Sequence, residues 1–360
     1  MSMLTQDVML ERHPGDRSHK ALALAFVLLA LLVFAGVLSL AVGASGVSLW
    51  DAARAMVSAQ DMAPRDRIVL FDIRLPRTVM GMLVGAALAV SGAVLQGLFR
   101  NPLADPYLLG SASGAALAMA LAFAVLGVSG LVAGDSGAAL AQAASPWLAR
   151  LGLTGAAFVG ALAGVLLTLV LAQGVQQTMR LLLAGVVVGY VLGAVRDLVQ
   201  LAQPDVLQAM QGFTLGITGF VGWGACGVMA AMLAPLLLAA WLLARVLDAL
   251  TLGEATAQSL GLPLAPLRAL LIAVLALATG TAVAQTGLIG FVGLVAPHLV
   301  RGLARSTHGP LLVLSALAGG LLLMAADIAA RVLIAPQELP VGVLTAVLGG
   351  VYLLWLMKRR

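Results

Sequence analysis

The sequence predicts an all-α polytopic membrane protein with ten transmembrane helices. Three observations carry that reading. Hydrophobic residues fill 62% of the 360 positions and charged residues only 10%, whereas a soluble domain carries about 25% charged residues. The mean hydropathy is +1.08. The apolar residues gather in long charge-free runs, each near the roughly 20 residues that cross a hydrocarbon layer about 30 Å thick. The 41 glycines suit helices that must approach closely where lipid supplies no hydrophobic drive.

In chain order, residues 1–20 read as a polar tail. Residues 21–50 form the first run. It exceeds the apolar core of a secretion signal, about 7–15 residues, and so reads as a retained first helix. The stretch "VSLWDAARAMVSA" has helical periodicity and mixed polarity, as a connecting helix along the outer surface would. Runs 78–99, 106–134 and 151–179 are spans two to four. Residues 181–202 are the fifth, interrupted by Arg196 and Asp197, and 206–244 the sixth. The long window 269–300 holds two spans with a break near Thr286 and Gly287. Runs 306–326 and 339–357 are the ninth and tenth, and 358–360 is a basic tail. Residues 21–357 therefore read as a single transmembrane domain.

Ten spans put both termini on one side, and the Lys/Arg count makes that side cytoplasmic. Arg12, Arg17, Lys20, Arg100, Arg180, Arg245, Arg268, Arg301, Arg305, Lys358, Arg359 and Arg360 fall inside. The outward set is Arg54, Arg65, Arg67, Arg74, Arg77, Arg150 and Arg331. Five of those lie in the first outward loop, around "FDIRLPR", against the general bias; Asp66 and Asp72 partly neutralise them.

"LPRTVMGMLVGAALAVSGAVLQG" (75–97) and "APLRALLIAVLALATGTAVAQTG" (265–287) share a Pro near Arg, a small-residue pair, then Gln and Gly. They enter the membrane from opposite sides. This suggests an inverted repeat of helices 2–5 and 7–10, as transporters often have; chance similarity between Gly/Ala-rich helices is the alternative.

Several chemistries are unsupported. There is no G-x-x-x-x-G-K-[ST] to cradle nucleotide phosphates. The four histidines stand at no metal-ligand spacing, and no base is placed to activate a nucleophile. The lone Cys226 excludes a disulfide framework. No basic run is long enough for nucleic acid. The chain thus reads as having no catalytic residue, no metal site and no bound cofactor.

The inner segment "DALTLGEATAQSLGLPLAPLR" (248–268) is the longest polar interruption on its side. Glu254, Gln258 and Ser259 line one face of a short helix that Gly261 and Pro263 end. It reads either as a partner-docking element over 248–266 or as an ordinary loop.

Here a resemblance becomes specific. "IRLPRTVMGMLVGAALAVSGAVLQGLFRNPLADPYLLG" resembles the signature region of the vitamin B12 and iron-chelate (FecCD-type) permeases. "LGEATAQSLGLPL" resembles that family's coupling loop. "IGFVGLVAPHLVR", "ADIAAR" and "ELPVGVLTAVLGG" match its late motifs in order. The resemblance runs from about residue 21 to 357 and implies a type II ABC importer permease like those for vitamin B12. It implies ten helices per subunit and a homodimer with the pathway on its two-fold axis. It also implies two ATP-binding subunits on the cytoplasmic side, which hold the ATP and magnesium, and a periplasmic binding protein outside. The chain would sit in a bacterial inner membrane, with both termini cytoplasmic, as a transport subunit and not an enzyme.

Residue by residue, the resemblance makes Arg74, Arg77 and Arg331 docking arginines for acidic residues of the binding protein. Charge-assisted Arg–carboxylate bonds suit that role. Snorkelling to lipid phosphates is the alternative for Arg74 and Arg77, and a local pair with Asp327 for Arg331. Gly253, Glu254, Gln258, Ser259 and Gly261 would dock into the ATPase groove. Thr178 and Met179 occupy the cytoplasmic gate positions, and Met179 departs from the family's small hydroxyl residue.

Arg196 and Asp197 stand outside any motif. Charges within a span are costly and face the interior or a watery cavity. As neighbours in sequence they are expected to point apart and leave each other unsatisfied. Arg196 lies about 22 Å from Leu181 along a helix, toward the outer mouth. With Tyr190 it is a candidate pathway residue that attracts an anionic group of the cargo; a structural pair with another helix is the alternative. Among family cargoes an apolar wall with one cation favours haem over a ferric siderophore or cobalamin. A stand-alone secondary transporter is the rival of another class.

Overall fold

The computed structural model describes residues 14–42, 64–126, 146–175, 177–219 and 221–359. Every regular element among them is helical. The predicted connecting helix over 47–59, Arg54 and most of the N-terminal tail lie outside the described residues.

Helix α1 runs Pro14–Ala41. Helix α2, Pro64–Ile68, passes through a wide π-type turn, Val69–Arg74, into α3, Leu75–Phe99. Pro76 explains the wide turn: it has no N–H to give to the preceding turn. The ladder instead takes an i→i−5 bond from the Leu75 N–H to the Leu70 carbonyl. Arg74 and Arg77 follow one turn apart and both are buried.

A short 3₁₀ turn, Pro106–Leu109, leads to α4, Ser111–Leu126. Then come α5 (Pro146–Leu171), α6 (Thr178–Ala202) and α7 (Pro204–Leu215). Next are α8 (Trp223–Leu242), α9 (Ala244–Thr251) and α10 (Glu254–Ser259). The last four are α11 (Leu264–Thr286), α12 (Val292–Leu303), α13 (His308–Val332) and α14 (Val341–Arg359).

Eight described helices are long and apolar enough to cross a membrane. Two expected spans are shorter. Within 106–134 the described helix ends at Leu126, and the second half of 269–300 is the twelve-residue α12. At about 1.5 Å per residue, α12 covers only about 18 Å. The single span expected over 206–244 is two helices. Gly216, at φ +70°, breaks the chain between α7 and α8. The break expected near Gly287 is present, at φ +73°.

These two breaks satisfy each other. The Leu288 N–H donates to Phe213 O, Ile217 N–H to Thr286 O and Gly342 N–H to Gly216 O. Irregular backbone inside a helical membrane protein persists only where protein supplies such partners.

The centre is α3, most of whose side chains are buried. Its most extensive neighbour is α13. The two backbones meet at glycines: a Cβ on Gly85 would overlap the Gly319 carbonyl, and one on Gly319 would overlap Gly85 O and the Ala89 methyl. The two halves of the proposed repeat touch where Ser91 Oγ lies 3.4 Å from Leu275 O.

The bundle has two ends. Early α1 packs on early α13, where Leu28 joins Leu311 and Leu314. Late α1 meets late α13, where Ser39 accepts from Arg331. Helix α14 starts beside this second end, where Leu339 N–H donates to Ala330 O, and runs away from it. The described starts of α1 and α13, the finish of α14 and the α9–α10 element therefore share one end. The arginine cluster occupies the other.

Candidate functional site

The arginine end is a closed network. Arg77 donates from Nε to Asp327 Oδ1 at 3.0 Å, and its Nη2 lies 2.9 Å from the same oxygen. Its Nη1 reaches Glu338 Oε2 at 2.8 Å. Arg331 pairs with Asp327 Oδ2 at 2.9 Å and donates to Ser39 Oγ, Ser39 O and Val42 O. Arg74 donates to Leu40 O at 2.6 Å. Thr218 Oγ1 donates to Asp327 Oδ1 at 2.5 Å. One carboxylate thus gathers α3, α13 and the α7–α8 connection, while α1 caps the arginines with its last carbonyls.

The sequence reading put Arg74, Arg77 and Arg331 on an outward-facing surface. The structure places all three inside the chain, 5%, 8% and 6% exposed. The physical reason is that free C-terminal carbonyls of α1 and the Asp327 carboxylate supply what burial of a guanidinium demands. The alternative Asp327–Arg331 pair, four residues apart, does form. Arg65 and Arg67, left without a role by the sequence, are exposed at this end, as is Asp72. Within the network only the Glu338 side chain is open, at 48%.

Helix α6 is different. Only Leu181, Gly185 and Val188 are buried along it. Met179, Leu183, Val187, Tyr190, Val191, Leu198 and Leu201 form an exposed stripe from one end to the other. Met179 is 80% and Tyr190 79% exposed, and Thr178 is half-buried at the first turn. Helix α14 carries a second exposed stripe through Val347, Val351 and Leu354.

Arg196 and Asp197 were expected to leave each other unsatisfied. They pair instead: Arg196 Nη2 and Nε reach Asp197 Oδ1 at 2.6 and 3.0 Å. Adjacent helical residues diverge by about 100°, but the long guanidinium arm bends back to the short carboxylate. The pair is partly exposed, and neither partner is on another helix.

At the opposite end, the polar segment from 248 is two short helices rather than a loop. Gly253, at φ +105°, turns α9 into α10, and Gly261, at φ +78°, closes α10. Both take left-handed or extended conformations open to glycine. Gln258 and Ser259 are exposed, while Ala257 anchors α10 inward. Glu254 turns back to Arg268 on α11, Oε1 to Nη2 at 2.6 Å, and keeps 40% of its side chain exposed. Asp248 on α9 accepts from the backbone N–H of His308 at 2.9 Å and contacts its Nδ1 at 2.7 Å. Behind them, Gln96 of α3 accepts from Arg301 of α12 and donates to Leu294 O. Among the described residues no three His, Cys, Asp or Glu side chains group as metal ligands.

Sequence reasoning gave no role to Ser39, Thr218 and Glu338 at the arginine end or to Asp248 and His308 at the other. Glu338 opens one quoted motif and Asp248 opens the quoted 248–268 segment, so a signal existed for those two.

A family model for the FecCD transport family matches residues 31–359. The chain belongs to the FecCD transport family. It is 39% identical to the hemin transport system permease protein HmuU of Yersinia pestis over 294 residues, covering 81% of this chain and 84% of that protein. It is 40% identical to the vitamin B12 import system permease protein BtuC of Shigella boydii over 331 residues, 91% of this chain and 93% of that one. A solved inward-facing metal-chelate type ABC transporter superposes with a TM-score of 0.78 at 29% identity, covering 93% of this chain and 99% of that chain. This FecCD protein is accordingly the membrane-spanning permease of an importer whose ATPase activity lies in separate subunits.

Proposed function

We propose that this FecCD permease moves a bulky, largely apolar chelate, haem before others, along a pathway lined by α6 of two copies. The single observation that carries this reading is the end-to-end exposed apolar stripe of α6, whose charged residues are Arg180 in the first turn and Arg196 and Asp197 near the far end. A lone subunit leaves that stripe and the α14 stripe uncovered; a second copy would cover part of both and leave an apolar channel between. Met179 and Thr178 lie at its α10 end, as a gate would, and Tyr190 and Arg196 lie farther along. Two relatives fit the chelate class by their names, a hemin permease and a vitamin B12 permease.

The orientation we propose puts the α9–α10 end in the cytoplasm, where Gly253, Glu254, Gln258, Ser259 and Gly261 meet the ATPase subunits. The arginine end then faces the periplasm and a binding protein. Docking acids would compete there for Arg77 with the open Glu338, and Arg74 and Arg331 would hold the platform beneath. ATP hydrolysis in the partner subunits alternates access between the two ends.

Cobalamin is the second reading. Asp197 neutralises Arg196, which weakens its pull on a haem propionate, and the vitamin B12 permease is as similar as the hemin permease. The cognate binding protein, titrated with haem, cobalamin and ferric siderophores and followed by absorbance, should bind haem. Binding of cobalamin alone would reverse the order.

A further inference from the structure

Among the described helices, α13 is pinned by polar contacts at both of its ends. Helix α13 is unbroken from His308 to Val332. His308 and Asp327 lie about 29 Å apart along it, close to the hydrocarbon thickness of about 30 Å. At its first residue, Asp248 of α9 holds both the backbone N–H and the ring of His308. A carboxylate only accepts, so ring Nδ1 is the donor. At its other end, Asp327 and Arg331 bind Arg77, Thr218 and Ser39. Between the ends, Gly85 and Gly319 bring α3 and α13 into backbone contact, too tight for a methyl group on either side. The His308 ring itself is buried against Gly97 of α3.

Of the contacts between α9–α10 and the long helices, Asp248–His308 enters α13 and Glu254–Arg268 enters α11. Of these two polar contacts only the first enters a helix that also bears the arginine cluster; α9 packs besides on α3, where Leu247 lies against Gly97.

We propose that α3 and α13 move as one strut, and that Asp248 and His308 are the positioning pair through which α9 displaces it, so that the state of the ATPase subunits reaches the arginine end. This rests on the reading of α9–α10 as the ATPase-facing element. A rigid pair pinned at both ends carries displacement, because packed helices shift as units rather than deform. His308 touches no cargo; it positions α13.

The test uses the whole importer in proteoliposomes: this chain, its ATPase subunits and its binding protein. ATP hydrolysis is measured with and without saturating binding protein. His308→Leu should lower the stimulation by binding protein about fivefold or more, with hydrolysis in its absence unchanged. His308→Asn, whose amide nitrogen stands near the Nδ1 position, should restore it. Should His308→Leu fail to assemble by gel filtration, Asp248→Asn, which keeps an acceptor but not the charge, should lower stimulation in the same direction. Full stimulation in an assembled His308→Leu complex, or no rescue by asparagine, overturns the strut. Absence of stimulation in the wild-type importer would instead overturn the functional reading beneath it.

Discussion

Arg77 and Asp327 are 250 residues apart in sequence and share one carboxylate oxygen at 2.9–3.0 Å. The Asp327 side chain is 4% exposed and also serves Arg331 and Thr218. Two guanidiniums, one carboxylate and a hydroxyl thus bind three separate stretches of chain at one end of the bundle. A buried pair of this kind adds little net stability over an apolar pair, yet removing one partner strands the other.

Asp327→Ala should therefore destabilise the protein by about 3–5 kcal/mol. Thermal unfolding in detergent measures this. Arg77→Ala should cost a similar amount, and the double variant less than the sum, because each single change strands the other member of the pair and the double change strands neither.

Glu338 should behave differently. Its pair with Arg77 is half open to solvent, and such pairs contribute about 1 kcal/mol or less. Glu338→Gln should leave the unfolding temperature nearly unchanged while tightening association with the binding protein, measured by biolayer interferometry. Unchanged or weaker association would show that no docking acid competes for Arg77. Reversing Arg74 and Arg77 to Glu together is a poorer docking test, because it also wrecks the buried network.

Gly319→Val should push α13 off α3 and cost about 1–3 kcal/mol or more. Gly81→Ala, on the same α3 but with open space beside it, should be silent in the same unfolding assay. Equal effects at both positions would mean that the close approach does not matter.

Asp105 gives a pH signature. It precedes the 3₁₀ turn between α3 and α4, accepts the Tyr107 N–H at 2.9 Å, and burial pushes its carboxyl up to about 6. Between its ordinary value of 3.8 and about 6, the folded chain holds a proton that the unfolded chain has lost. Its contribution to stability therefore falls as pH rises through that interval. Asp105→Asn keeps an acceptor for Tyr107 and should flatten the decline between pH 4 and 6, read as unfolding temperature against pH.

Arg196→Ala should lower uptake at limiting cargo by roughly tenfold if it attracts an anionic group. Asp197→Asn frees the guanidinium and should raise uptake of the same cargo. If neither change moves uptake, the pair is structural and haem loses its main argument over cobalamin.

Much of the architecture is legible in the sequence because lipid imposes a simple demand. Every span must hide its own backbone polar groups, so spans announce themselves as apolar runs. That is why α1, α5, α6, α11 and α14 lie where expected and why the turn at Gly287 was readable. The split at Gly216 was not. No charge or proline marks it, and the backbone there is satisfied by Thr286, Leu288 and Gly342 from distant parts of the chain. The short α12 escaped for the same reason, since its apolar run merges with that of α11.

The candidate residues divide in the same way. Gly261 was readable as a turn position because its backbone requirement is local; Gly253 entered only through the family resemblance, and its turn came from the structure. The arginines were readable as unusual, but not as buried. An arginine near a span end has the same local sequence whether it faces solvent or the last carbonyls of another helix.

The sequence by itself determined the membrane class, the alternation of apolar helices, the family motifs and the turn at Gly261, all of which depend on residues close in the chain. The tertiary structure alone decided that Arg74, Arg77 and Arg331 lie inside, that Arg196 closes on Asp197, and that α13 joins His308 at one end to Asp327 at the other. Those outcomes depend on which helices become neighbours, and in a bilayer that choice is made by glycine contacts and buried polar partners far apart in sequence.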